Sequence, residues 1–145
     1  MNTGKSTGGL NRLYAAYNSK FLKPRMLKFL KYWLPVILWA GFIFYLSAQP
    51  GLSSGLPWLY DLVLRKGAHV VVFAILFLWV IRAFKNYGLS KRKALLCAFI
   101  FTILFAVSDE YHQTFVSQRV GSTGDVAIDS LGVVFFTWWQ MRNRP

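Results

Sequence analysis

The sequence predicts an all-α integral membrane protein, a four-helix bundle with both termini in the cytoplasm and a basic interfacial segment at the N-terminus. Three observations lead to this fold class. Of the 145 residues, 55% are hydrophobic and 18% are aromatic, a content too apolar for a soluble domain of this length. The hydrophobic residues form four separate runs, and most lysines and arginines lie beside those runs.

The first element is the N-terminal segment, residues 1–31, which we separate from a transmembrane domain at 32–145. It begins with a Gly, Ser and Thr tail that we expect to be disordered. Six lysines and arginines, from Arg12 to Lys31, then alternate with apolar and aromatic residues, a pattern typical of a segment at a membrane surface. Pro24 is expected to divide this segment.

The next elements are four apolar runs, which predict the four transmembrane helices. They cover residues 32–48, 67–81, 94–107 and 126–141. A helix needs about 20 residues to cross a hydrocarbon core of about 30 Å, and the last three runs are shorter than that. We therefore expect their helices to extend into the neighbouring polar segments, which are 65–69, 108–113 and 125–129.

The distribution of lysine and arginine predicts the orientation. Segments 1–31, 82–93 and 142–145 contain seven, five and two of them, which makes fourteen, and the rest of the chain contains three. Because cytoplasmic segments of membrane proteins are enriched in these residues, both termini and the central loop are placed inside. All acids and histidines then lie toward the outer face: Asp61, His69, Asp109, Glu110, His112, Asp125 and Asp129.

Ionisable groups near lipid are energetically costly, so we expect these side chains to face one another in an outward-facing pocket between helices two, three and four. Spacings of three or four residues place several of them on common helix faces. The candidate pocket residues are Lys66, His69, Asp109, Glu110, Gln113, Arg119, Asp125 and Asp129. Gly132 follows Asp129 by three positions and is expected to let another helix approach closely.

The start of the fourth helix is also predicted. Ser122 or Thr123 is available as its N-cap, and Asp125 is expected in its first turn, where the helix dipole favours a negative charge. Part of the role of Asp125 is then structural.

Composition narrows the partners. A formal charge of +12 would suggest nucleic acid in a soluble protein, but here the basic residues flank apolar runs, where they meet lipid headgroups. We therefore predict the lipid bilayer as a partner and no nucleic acid. The single cysteine, Cys97, excludes an intramolecular disulfide.

Three functions remain open for the pocket. In the first, Lys66 and Arg119 bind the phosphate of an anionic envelope lipid or cell-wall precursor, and nearby ionisable groups transfer protons. In the second, the pocket binds a divalent cation, because imidazole and carboxylate ligands suit one. The ligands of that cation would come from His69, Asp109, Glu110, Asp125 and Asp129. In the third, the network of polar side chains only fixes the helices relative to one another. Neither Ser108 nor Ser122 has a base and an orienting group at a readable spacing, which argues against an acyl-transfer triad. Whether the protein is an enzyme, and whether it has a cofactor, stay open.

Three ordered motifs resemble the VanZ-like family of bacterial membrane proteins. They are Arg65-Lys66-x-x-His69-x-x-x-Phe73, Asp109-Glu110-x-x-Gln113-x-Phe115-x-x-x-Arg119, and Gly121-Ser122-x-x-Asp125-x-x-x-Asp129-x-x-Gly132. The likeness runs from about Leu34 to Phe136. Two residues depart from it, since the family often has tyrosine at Phe73 and asparagine at Asp129, and the extra carboxylate favours a cation.

This resemblance implies a multi-pass protein of the bacterial cytoplasmic membrane with its pocket toward the cell envelope. The family name comes from a member tied to resistance to the glycopeptide teicoplanin, which acts on cell-wall precursors outside the membrane. A link to teicoplanin resistance is therefore the phenotype that the resemblance implies. It implies no established reaction.

Overall fold

The described part of the protein forms four α-helices. The computed structural model describes residues 7–50, 55–117, 119 and 121–142, with side chains from residue 24 onward. The helices are α1 (Thr7–Ser47), α2 (Trp58–Asn86), α3 (Lys91–Gln113) and α4 (Thr123–Arg142). The predicted all-α class and the number of helices are confirmed for this part of the chain.

Three of the helices are long and apolar enough to cross a membrane. The candidate spans are Pro24–Ser47 within α1, Trp58–Asn86 and Lys91–Gln113. The protein is therefore a multi-pass membrane protein in contact with lipid. Helix α4 is not among the three, because two aspartates and polar terminal residues lower its mean hydropathy. That α4 also crosses the bilayer stays a prediction, as does the N-in, C-in orientation.

Helix α1 is longer than the first apolar run, because it continues through Pro24 and Pro35. The expected division at Pro24 was wrong. An internal proline removes one backbone hydrogen bond and kinks a helix, but the turns on either side can remain helical, and membrane helices tolerate this. Residues 1–6 of the expected disordered tail lie outside the described residues. The remainder of the basic segment, from Thr7, is helical, and its interfacial position stays a prediction.

Helices α2, α3 and α4 extend beyond their apolar runs, as predicted from the shortness of those runs. All of residues 65–69, 108–113 and 125–129 are helical. In an apolar environment a helix satisfies its own backbone hydrogen bonds, so continuing the helix into polar sequence is less costly than an early end. The acids, basic residues and histidines of these segments consequently project from helices.

Helix α2 lies at the centre and contacts each of the other three helices. Its buried face carries Phe73, Leu76, Phe77 and Val80, none of which has exposed surface. Their spacing of three and four residues forms one continuous stripe along the helix. Many large apolar side chains lie instead on the outer surface, where Leu104 of α3 is 64% exposed, as expected for a surface that faces lipid.

Helices α2 and α4 approach each other closely at Gly132, as predicted. A Cβ atom built on Gly132 would lie 2.7 Å from the carbonyl oxygen of Val70 and 2.9 Å from the Cβ of Ala74. The missing side chain therefore lets α4 pack on the backbone of α2. Since Asp129 precedes Gly132 by three residues, this contact brings the aspartates of α4 beside the polar end of α2.

Candidate functional site

The polar ends of the helices enclose one cavity of about 140 Å³. It lies where α2 and α4 begin and where α3 ends. Its walls are formed by Leu62, Arg65, Lys66, His69, Glu110, Gln113, Arg119, Asp125, Ile128 and Asp129. Seven of the eight predicted pocket residues line it, and Asp109 lies directly behind the wall.

Helix α2 meets α4 through His69 and Asp129. The Nδ1 atom of His69 lies 3.4 Å from Oδ1 of Asp129. Asp129 is 2% exposed, and its second oxygen, Oδ2, has no hydrogen-bond partner among the described residues. A buried carboxylate oxygen without a partner has lost its hydration without compensation, so this oxygen is available for a ligand.

Glu110 brings a third helix to the same point. Ligand atoms of His69, Glu110 and Asp129 lie within 4.8 Å of one another, and each residue comes from a different helix. Glu110 and Asp129 are buried and His69 is half-buried. One imidazole and two carboxylates therefore converge on the interior wall of the cavity.

Glu110 also fixes the start of α4. Its Oε2 accepts a 2.9 Å hydrogen bond from the backbone N–H of Ser122, and the Oγ of Ser122 accepts a 3.1 Å bond from the N–H of Gly124. Ser122 is thus the N-cap, one of the two residues predicted for that role, and Asp125 lies in the first turn as expected. Gly121 permits this arrangement, because a Cβ there would collide with the backbone oxygen of Glu110.

Asp109 connects α3 to α1. Its Oδ2 accepts hydrogen bonds from the Oγ of Ser47, at 2.6 Å, and from Nε2 of Gln113, at 3.2 Å. The same Nε2 donates to Oε1 of Glu110 at 3.2 Å, so Gln113 joins the two neighbouring carboxylates. Asp109 has no exposed surface, and its Oδ1 has no hydrogen-bond partner within the described part of the chain.

The basic residues of the cavity have different partners. Lys66 forms an ion pair with Asp125 across α2 and α4, and about a third of each side chain is exposed. Arg65 forms an ion pair with Asp61 one turn earlier in α2, with 2.9 Å between Nε and Oδ2. Both side chains of the Lys66–Asp125 pair are partly hydrated, so that pair contributes little to stability and Lys66 can exchange its partner, whereas the Asp61 side chain is only 10% exposed.

Arg119 lies in the connection between α3 and α4 and contacts the end of α1. Its Nε and Nη2 each donate a 3.2 Å hydrogen bond to the carbonyl oxygen of Gln49, and Nη2 also donates to Leu46 at 3.5 Å. A cation at a helix C-terminus is favoured by the helix dipole. Arg119 therefore lines the cavity while its hydrogen bonds join the α3–α4 connection to the end of α1.

Sequence reasoning also missed Ser47 and Arg65 as members of this site. Ser47 lies one residue before the end of the first apolar run, and a polar residue within that run was the available signal. Arg65 is adjacent to Lys66 in the sequence and lines the same cavity. His112, the second histidine, lies outside the cavity, where its ring packs on Phe44 with 5.1 Å between centroids.

The site contains more carboxylates than cationic side chains that pair with them. After the pairs of Arg65 with Asp61 and Lys66 with Asp125, three carboxylates remain, those of Asp109, Glu110 and Asp129. Among the described residues, His69 is the ionisable partner near them, because Arg119 is directed at backbone carbonyls. The imidazole of His69 and the carboxylates of Glu110 and Asp129 in the cavity wall are groups that bind cations and transfer protons.

A family model described as VanZ/LLP1 matches residues 32–141, which is more than two thirds of the chain. The match includes every residue of the cavity, together with Ser47 and Asp109 behind it. Comparison with curated proteins and with solved structures gave no match.

Proposed function

The chain belongs to the VanZ/LLP1 family, and we propose that it binds the phosphate headgroup of an anionic envelope lipid or lipid-linked cell-wall precursor in this cavity. The observation that supports the proposal is the presence of three cationic side chains, those of Arg65, Lys66 and Arg119, among the residues that line the cavity. Guanidinium and ammonium groups are the usual donors to phosphate in proteins.

The proposed orientation places the cavity at the outer face of the bacterial cytoplasmic membrane. In this orientation both termini and the α2–α3 connection lie in the cytoplasm, and α4 is the fourth span. The distribution of lysine and arginine supports it, because fourteen lie in the segments placed in the cytoplasm and three lie in the rest of the chain. An envelope lipid of the outer leaflet then has its headgroup at the level of the cavity. In the same orientation Lys85, near the end of α2, faces the cytoplasm.

The present contacts of the cationic side chains indicate how each would bind a phosphate headgroup. Lys66 leaves Asp125 or shares its charge with the phosphate, which is feasible because the pair is partly hydrated. Arg119 keeps its contacts with Gln49 and offers its remaining guanidinium face. Gln113 and Asp125 are placed to bond hydroxyl groups of a glycerol or sugar headgroup. His69 and Glu110 are the groups able to transfer a proton if the headgroup is also processed.

The proposal is tested by lipid retention in native mass spectrometry. The protein, in maltoside micelles, is titrated with phosphatidylglycerol and with phosphatidylcholine. We expect preferential retention of phosphatidylglycerol, reduced by about tenfold in Lys66→Gln, the equivalent of one charge-assisted hydrogen bond. The matched control is Lys85→Gln, the same substitution near the other end of α2, which should behave as the wild type. Equal retention of the two lipids by the wild type would refute the proposal.

We extend the proposal to the phenotype that gives the family its name. A protein that holds lipid-linked precursors at the outer face would change how much precursor is accessible to teicoplanin. Expression is then expected to raise the teicoplanin concentration that inhibits growth. The cavity residues, and not the mere presence of the protein in the membrane, should be required.

A further inference from the structure

We propose that His69, Glu110 and Asp129 form a binding site for one divalent transition-metal ion, with Zn²⁺ as the reference ion. Each ligand comes from a different helix of the bundle, α2, α3 and α4. The site stands on its own geometry and does not require that a lipid headgroup binds.

The spacing of the ligand atoms fits such an ion. Zinc–nitrogen and zinc–oxygen bonds of about 2.1 Å place two ligands at tetrahedral corners about 3.4 Å apart. The distance from His69 Nδ1 to Asp129 Oδ1 is 3.4 Å. One ligand atom from each of His69, Glu110 and Asp129 lies within 4.8 Å of the others, so small side-chain movements bring the three onto one ion.

A second observation points to a ligand independently of the clustering. Asp129 lines the cavity but is only 2% exposed, and its Oδ2 has no hydrogen-bond partner among the described residues. An unsatisfied anionic oxygen at this depth is costly. A cation in the cavity satisfies it and also removes the repulsion between Asp129 and Glu110.

The surrounding residues orient two of the three ligands. The Glu110 carboxylate is held by Gln113 Nε2 and by the backbone N–H of Ser122, and each carboxylate oxygen keeps a further lone pair for a metal. The Asp129 backbone is fixed by the close packing of Gly132 on Val70. Outer contacts of this kind are typical of protein metal sites, because they hold ligands in position before the ion arrives.

The donor set selects the class of ion. One imidazole nitrogen with two carboxylate oxygens suits zinc and manganese better than calcium, which prefers six or more oxygen ligands. Three protein ligands leave at least one coordination position for an outside group. If the proposed headgroup binding holds, a phosphate oxygen takes that position beside Lys66. Phosphate coordination therefore rests on the proposed function, whereas metal binding by the three side chains does not.

The test measures zinc binding in maltoside micelles, which contain no phosphate. Protein treated with a chelator is titrated with Zn²⁺ against a competing fluorescent zinc indicator, and we expect one ion per chain. His69→Gln and Asp129→Asn should each weaken binding by at least about tenfold, because loss of a direct ligand should cost no less than loss of an outer contact to a ligand. The matched control is His112→Gln, the same substitution at the histidine outside the cavity, which should bind zinc as the wild type does.

A second measurement avoids reliance on variants that fold poorly. Co²⁺ added to the wild-type protein should give the intense visible absorption of a low-coordinate site, and Zn²⁺ should displace it. Absence of stoichiometric zinc binding by the wild type would overturn the proposal, as would equal losses in His69→Gln and His112→Gln. Because no lipid phosphate is present, this outcome is separate from the phosphatidylglycerol result.

Discussion

Ser47, the last residue of α1, donates a 2.6 Å hydrogen bond to Oδ2 of Asp109 near the end of α3. Both side chains are almost completely buried. The bond joins helices that are distant in the sequence, and it places a carboxylate directly behind the cavity. It is therefore a contact whose loss should be measurable in the stability of the fold.

Ser47→Ala is predicted to lower the free energy of unfolding by about 1–3 kcal/mol, the usual cost of leaving a buried partner unsatisfied. The measurement is reversible denaturation in mixed micelles. The control is Ser130→Ala, which removes a 2.6 Å bond to Val126 within the same helix, and should cost less because that carbonyl keeps its helical bonding. Equal losses in the two variants would mean that the bond to Asp109 contributes no more to the free energy of unfolding than the bond within one helix does.

Gly132→Ala is predicted to destabilise the protein by about 1–3 kcal/mol, because the added Cβ overpacks the contact with Val70 and Ala74. Thermal unfolding followed by circular dichroism reports the change. Gly41→Ala is the control, since a Cβ at Gly41 meets no atom within 4 Å, and alanine is favoured over glycine inside a helix. The two substitutions should therefore shift the melting temperature in opposite directions.

The ion pair of Lys66 with Asp125 is predicted to contribute little to folding. A double-mutant cycle with Lys66→Gln and Asp125→Asn should give a coupling below about 1 kcal/mol, because both side chains are partly hydrated and screened. A much larger coupling would indicate that the pair locks α2 to α4. In that case Lys66 would not be free to bind phosphate.

Glu110→Gln tests whether the cavity acts in cells. The amide still offers an oxygen to the N–H of Ser122, so α4 should start correctly and membrane insertion should be retained. We predict that expression of the wild type raises teicoplanin tolerance and that Glu110→Gln loses the gain. Loss of the protein from the membrane would instead assign a structural role, and full tolerance in the variant would exclude Glu110 from the function.

Labelling tests the proposed orientation. With Cys97 replaced by alanine, a single cysteine is placed at Leu56, Tyr87 or Met141, which lie near successive ends of the helices and are exposed. A maleimide that cannot cross the membrane should label L56C in intact spheroplasts, and Y87C and M141C only after lysis. Labelling of M141C in intact spheroplasts would place the end of α4 outside and exclude it as the fourth span.

Much of the fold was predictable because its determinants are local along the chain. The four apolar runs predicted four helices, and their shortness predicted that residues 65–69, 108–113 and 125–129 would be helical. The close helix approach at Gly132 and the N-cap at Ser122 were predicted correctly because each depends on residues within one or two helical turns. Pro24 was misjudged because a proline bends a helix more readily than it ends one in this setting.

The sequence by itself determined that the chain lies in a membrane and that all of its carboxylates occur near one end of the helices, because hydropathy and helical spacing are properties of neighbouring residues. Only the tertiary structure decided which groups meet. His69 lies beside Asp129, Lys66 pairs with Asp125, and Asp109 turns toward Ser47. These choices depend on how each helix is rotated about its axis, and that rotation is fixed by contacts between helices, such as Gly132 against Val70.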